Sequence, residues 1–217
     1  MSSVVSIVGN SKVGKTTLIE KLIRELKSRG YRVATVKHAP GGMTFDKPDK
    51  DSGRHIQAGS EATVVSSQTQ VVLIRPVASD VTLDEIAYLL REDYDVLLAE
   101  GFKQENVPKI EICRREIGLP LRDIKKLIAV VTDEPLEIET RQFSLDDVEG
   151  LADLLEEGFI KPQDEQLSLY VNGVSIALST FPKELIINVL EGMAAALKGV
   201  GEVKSLELFL RKRDNGS

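Results

Sequence analysis

Apolar residues run in blocks along most of the chain, and the spacing within the blocks switches between two periods. A continuous apolar run at 4–8 gives way to an amphipathic stretch at 16–28. The first pattern predicts a strand buried on both faces, the second a helix with one buried stripe. Further strands are predicted at 32–37, 62–66, 70–77, 95–100, 108–114 and 127–133, and further helices at 52–58, 83–92 and 145–157. Thr82 with Glu85 three residues on has the form of a capping box, and Ser144 is the expected cap of the 145–157 helix. Near-continuous Val, Ile and Leu strands separated by helices predict a mostly parallel sheet covered on both faces: an α/β, three-layer fold.

After residue 162 the texture changes. Segments 166–171 and 174–179 flank Asn172-Gly173, a strong hairpin signal, and a helix is predicted at 183–198, then a strand at 204–210. The helix carries an apolar stripe of Leu185, Ile186, Val189, Leu190, Met193 and Leu197. The expected organisation is a main domain, residues 1–162, and a small ββαβ extension, residues 163–217. So short a unit is marginal alone and needs a second surface to bury its stripe.

Composition narrows the setting. The chain has 217 residues, 42% hydrophobic and 29% charged, as expected of a soluble globular protein. No apolar run approaches the ~20 residues that span a bilayer, and no signal-peptide pattern opens the sequence. Cys113 is the single cysteine, which excludes an internal disulfide and suits a reducing, cytoplasmic compartment. A net charge of -6 argues against a nucleic-acid partner. Two His and one Cys supply no spaced zinc set.

The chemistry concentrates at residues 9–17. Gly9, Asn10, Ser11, Lys12, Val13, Gly14, Lys15, Thr16 and Thr17 match the phosphate-loop pattern G-x-x-x-x-G-K-[ST], between a predicted strand and a predicted helix. Gly9 and Gly14 permit a tight turn and close approach to an anion. Loop N–H groups and the helix N-terminus aim partial positive charge at phosphate. Lys15 adds a full charge at the β- and γ-phosphates, and the Thr16 hydroxyl suits Mg²⁺. Such a site needs an acidic residue at the end of another parallel strand, and Glu100 before Gly101 fits. Asp95 opens the same strand, at the far edge of the sheet, and reads as structural.

Other residues admit two readings each. His38, at the end of the second strand, suits a phosphate contact or a plain strand-end polar residue. Asp46 and Asp51 lie where a switch segment would reach Mg²⁺, and Asp51 equally suits a helix cap at Ser52. Arg54 suits phosphate, a pterin or a surface ion pair. Asp133 after Thr132 ends a strand where a carboxylate would accept from guanine N1–H and N2–H₂. Cys113 reads as an inert core thiol, and His55 as structural.

Taken together, the phosphate loop, Val36-Lys37-His38, Asp51-Ser52-x-Arg54, Ala58-Gly59, Glu100-Gly101-Phe102-Lys103 and Pro108-Lys109-Ile110-Glu111 with Arg114 resemble the molybdopterin-guanine dinucleotide biosynthesis protein B family. The resemblance spans roughly residues 3–160. It implies a GTP- and Mg²⁺-binding accessory protein, at most a slow GTPase with Lys15 and Glu100 in the catalytic positions. It implies a homodimer, partnered by the guanylyltransferase that joins GMP to molybdopterin and by molybdopterin itself. Lys12 departs from the family, whose loops place a small residue there, and residues 163–217 exceed its minimal length. Rival readings are a phosphate-loop kinase of a small metabolite and a metallochaperone GTPase. The first wants an arginine-rich lid and the second a His- or Cys-rich metal loop, and neither is present in the sequence.

Overall fold

The structure is a computed structural model and describes residues 3–39, 51–90, 94–161, 167, 169–172, 174–203 and 206–210. In chain order the elements are β1 (Ser3–Val8), α1 (Lys15–Ser28), β2 (Val33–Lys37), α2 (Asp51–Gln57), β3 (Thr63–Ser66), β4 (Val71–Ile74), α3 (Leu83–Leu89), β5 (Val96–Glu100), β6 (Lys109–Cys113), β7 (Leu127–Thr132), β8 (Arg141–Ser144) and α4 (Val148–Leu155). A single wide π turn, Glu156–Ile160, prolongs α4. Then come β9 (Leu169–Val171), β10 (Val174–Ile176) and α5 (Thr180–Ala195).

Six strands form one sheet in the order β2-β5-β1-β6-β7-β8, every neighbouring pair parallel. From β1 the chain first fills one side (β2, β5) and then the other (β6, β7, β8). The C-terminal end of β1 is therefore the topological switch point, where open α/β sheets bind ligands. α1 and α4 cover one face, with Leu18, Leu22, Leu26, Leu151 and Leu155 against Val5, Ile7, Ile110 and Ile112. Each such fully buried aliphatic side chain contributes about 1.5–3 kcal/mol. α3 covers part of the other face, where Leu83 packs with Ala99 and Ala87 with Leu97. Its Thr82–Glu85 capping box is formed in both directions, as expected.

Several elements differ from the sequence expectation. β8 was not anticipated: it is a short edge strand with a largely exposed, polar surface, so no apolar run marks it. Ser144 ends that strand instead of capping the next helix. Asp147 takes the role, its Oδ1 accepting from the Gly150 amide at 3.1 Å. α3 closes at Leu89, short of the expected 92, and α4 begins at Val148 in place of 145.

By compactness the chain divides into Ser2–Asp164 and Glu165–Ser217. Within the second unit β9 and β10 pair antiparallel, Val171 opposite Val174, with Asn172 in the left-handed conformation at φ 52°. α5 starts at Thr180, ahead of the expected 183. Pro182 lies in its first turn, where a missing N–H breaks no helical bond. The expected last strand is not formed across the described residues 206–210.

One polar cluster fastens α1 to α4. Arg29 donates to Glu25 at 2.8 Å, Asp153 at 2.6 Å and Glu156 at 2.8 Å, while Tyr31 Oη and Lys161 Nζ reach Glu156 at 3.0 and 2.8 Å. Lys161, Arg29 and Tyr31, in that order, bring the Glu156 carboxyl from its ordinary 4.5 down to about 2. A carboxyl depressed by folding adds stability that is fully present above the unfolded value and disappears as pH falls toward the folded one. Glu156→Gln is therefore expected to lower stability at neutral pH and to flatten its decline between pH 4.5 and about 2. Urea unfolding midpoints across that window check it; parallel curves for both proteins would refute the assignment.

Candidate functional site

The loop between β1 and α1 wraps the C-terminal edge of the sheet. Gly9 has φ 149°, and a Cβ there would collide with the carbonyl oxygen of Ile112 on β6. This glycine is needed by the sheet itself as well as by any phosphate. Lys12 is exposed with φ 63°, a left-handed conformation that glycine adopts more readily than lysine. Asn10 supports the loop structurally, its amide donating to Leu119 O at 3.1 Å, and Val13 is buried in the core. Ser11 is exposed, and Gly14, at φ 108°, is the N-cap residue of α1.

Lys15, the first residue of α1, folds its ammonium back over the loop. Nζ donates to Gly9 O at 3.2 Å and Asn10 O at 2.8 Å. Burial pushes its pKa down, Glu100 pulls it up, and Lys103 and Lys37 push it down again. The next residue, Thr16, donates from Oγ1 to Glu100 Oε2 at 3.0 Å. Glu100 stands opposite Ile7 of β1 and Lys37 of β2, so parallel pairing delivers it beside the loop. Two adjacent oxygens of an octahedral Mg²⁺ shell, at 2.0–2.1 Å from the metal, lie about 2.9 Å apart. The Thr16–Glu100 separation matches that spacing, and the donors are hard oxygens. Lys37 Nζ approaches Glu100 Oε1 at 3.4 Å, so Glu100 has a cation partner already.

The structure thus brings Lys15, Thr16 and Glu100 together. Asp51 opens α2, where its carboxylate faces Arg54 at 3.9 Å, and Asp46 lies outside the described residues. Among the described residues no group of three or more His, Cys, Asp or Glu converges. His38 stacks on Phe102, ring centroids 5.1 Å apart, and its Nε2 lies 4.0 Å from Asp80. Asp95 accepts from the Arg32 amide at 2.6 Å on the opposite edge. Cys113 is buried, which raises its pKa, with Glu111 and Asp133 adding to the rise.

Two cavities continue along the same edge. In register, Cys113, Thr132 and Ser144 end β6, β7 and β8 side by side. A cavity of about 440 Å³ is lined by Thr132, Asp133, Glu134, Pro135, Gln142 and Phe143, among others. Gln142 braces its wall, exchanging hydrogen bonds with the Leu136 amide and carbonyl at 2.8 and 2.7 Å. Asp133 Oδ1 accepts from the Arg115 amide at 3.1 Å, which orients the carboxylate. A second cavity, about 170 Å³, lies between Gly14 and Thr17 of the loop and helix and Leu145-Asp146 beyond β8. Asp146 is held below its ordinary pKa first by a hydrogen bond from Lys21 at 2.9 Å and then by charge, Arg114 included. In the sequence, Lys37 and Arg114 stand only within a wider pattern of residues. Their signal was position: each ends or directly follows a parallel strand at the ligand-binding edge.

An all-parallel sheet with a lysine-bearing phosphate loop at its switch point, and a carboxylate from the next strand on the loop's threonine, defines a phosphate-loop nucleotide-binding protein. Residues 4–133 match the family described as molybdopterin guanine dinucleotide synthesis protein B, and the chain belongs to that family. It is 40% identical over 152 residues to the molybdopterin-guanine dinucleotide biosynthesis adapter protein of Haemophilus influenzae, covering 69% of this chain and 85% of that one. The adapter protein of Escherichia coli K12 is 38% identical over 153 residues, covering 68% and 87%. A crystal structure of molybdopterin-guanine biosynthesis protein B superposes with a TM-score of 0.58 at 30% identity, covering 72% of this chain and 99% of that one. A homologue from Bacillus stearothermophilus gives 0.55 at 30% identity, covering 71% and 96%. Among the described residues no helix is long and apolar enough to cross a membrane.

Proposed function

We propose that this protein is a GTP-binding adapter in synthesis of the guanine dinucleotide form of the molybdenum cofactor. The observation that carries the reading is a continuous sheet edge: Lys15, Thr16 and Glu100 at one end, the Asp133 cavity at the other. Phosphates belong on the loop amides and Lys15, and the base against Asp133. When bound, Mg²⁺ neutralises the β- and γ-phosphates; Thr16 and Glu100 hold it, with Asp51 or Asp46 as a further carboxylate from the switch segment. Hydrolysis is slow in this reading, since the sequence offers no arginine finger or catalytic glutamine.

The partners in this reading are the guanylyltransferase that joins GMP to molybdopterin, and molybdopterin. A second copy of the chain is the third. The β3–β4 hairpin supports it: a two-stranded sheet with exposed Val64, Val71 and Leu73 is marginal alone and has open edges. The nucleotide motifs all fall in residues 1–162, so the extension from 163 belongs to association and not to nucleotide binding.

Calorimetric titration with GTP and ATP, with and without Mg²⁺, tests the reading. GTP is expected to bind more tightly, with Mg²⁺ helping. Asp133→Asn puts a donor where guanine presents donors, so it should narrow the GTP preference by about 1–3 kcal/mol while triphosphate contacts persist. A wild-type preference for ATP would overturn base selection by Asp133.

A further inference from the structure

Arg114 directly follows β6 and enters the smaller cavity beside the phosphate loop. Its Nε is buried and has no hydrogen-bond partner among the described residues. Its Nη2 lies 3.5 Å from the point where a Cβ on Gly14 would stand, so the guanidinium rests against the N-cap of α1. The cavity wall opposite is Asp146, but that carboxylate is exposed and engaged by Lys21 at 2.9 Å. A buried donor left unmatched costs free energy that a ligand's acceptor would recover.

The direction of the ligand follows from the edge. Lys15, Thr16 and Glu100 mark the β/γ end, and Asp133 marks the base end. Gly14, Thr17 and Arg114 lie between them on the loop's other flank. We infer that Arg114 is a nucleotide-binding residue whose guanidinium hydrogen-bonds the α-phosphate of a bound nucleoside di- or triphosphate, an inference that rests on the nucleotide reading above. A planar fork suits two phosphate oxygens, which an ammonium cannot match. The contact is to a group that hydrolysis leaves behind. It therefore anchors GTP and GDP alike, and the γ-phosphate is read elsewhere, on the Lys15–Glu100 side.

The test is isothermal titration of GTP and GDP against wild type, Arg114→Met and Arg114→Lys, with thermal melts of each protein with and without nucleotide. Arg114→Met should weaken both nucleotides by the same factor, roughly 10- to 100-fold, the scale of one charge-assisted hydrogen bond. Its ligand-free melting temperature should not fall, since the substitution removes an unmatched buried donor. Arg114→Lys should recover part of the loss. If the Met variant fails to fold, the Lys variant decides: reduced affinity for both nucleotides supports the assignment and wild-type affinity overturns it. A loss confined to GTP would place Arg114 on the γ-phosphate and overturn the proposal. Unaltered binding of both by Arg114→Met would do the same while leaving the nucleotide reading standing. Wild type that binds neither nucleotide would remove both.

Discussion

Lys15→Ala is expected to weaken GTP binding at least 100-fold, about 3 kcal/mol, with the fold intact. The ammonium sits on the Gly9 and Asn10 carbonyls, at 3.2 and 2.8 Å, ready to turn toward a phosphate that enters the loop. In the proposed nucleotide reading its removal takes away the full charge that meets the β- and γ-phosphates, while Lys12 remains exposed. The protein should tolerate the change. Alanine is a better helix former than lysine at the start of α1, and relief of burial and of like charge from Lys103 and Lys37 offsets the lost attraction to Glu100. Circular dichroism should stay native while calorimetry shows no GTP heat at wild-type saturating concentration. Unchanged affinity would remove the phosphate loop from the binding site, and with it the nucleotide reading.

The loop, the parallel sheet and the Thr82–Glu85 box were legible because each is written in contiguous residues. Gly9 to Thr17 follows an apolar strand and opens an amphipathic helix, and that local order suffices to place Lys15 and Thr16. Glu100 was legible from its position after an apolar run. What escaped depends on contacts far apart in sequence. That Gly9 must clear the Ile112 carbonyl, that Glu100 is paired with Lys37, and that Arg114 Nε is left unmatched all follow from strand order. β8 escaped for a different reason: an edge strand needs no apolar face, so Arg141–Ser144 reads as loop. Asp147 does not stand out as a cap in the sequence because Ser144 stands three residues earlier with an equally suitable side chain. Asp133 could be named, but the cavity beside it is made by Gln142 and Phe143, which only the unanticipated strand brings near.

Lys109 is the second position where a single change is expected to matter most, through the fold and not through the ligand. It is fully buried on β6, and burial pushes its pKa down, with Lys126 adding to the effect. A cation is tolerated there because Nζ donates to three carbonyls: Glu105, Val107 at 3.1 Å and Lys125 at 3.3 Å. Two of these belong to residues 101–108, the short connection from β5 to β6. Parallel crossovers of this kind ordinarily use a helix, which satisfies its own backbone. This one has none, so its carbonyls take donors from Lys109 and from Lys126, which reaches Asn106 O at 2.9 Å. The same connection follows directly on Glu100 and carries Phe102, against which His38 stacks. Lys109→Met keeps the buried stem and removes the donors. Each buried acceptor left unmatched costs about 1–3 kcal/mol, and relief of the ammonium's desolvation offsets part of the sum. The net expectation is a loss on the order of 3 kcal/mol in urea unfolding. Hydrogen exchange should show that residues 101–108 open more readily than α1, which does not touch Lys109 by hydrogen bonds. If the variant unfolds at the wild-type midpoint, the lysine is not what fastens this connection, and Glu100 must be positioned by strand pairing alone.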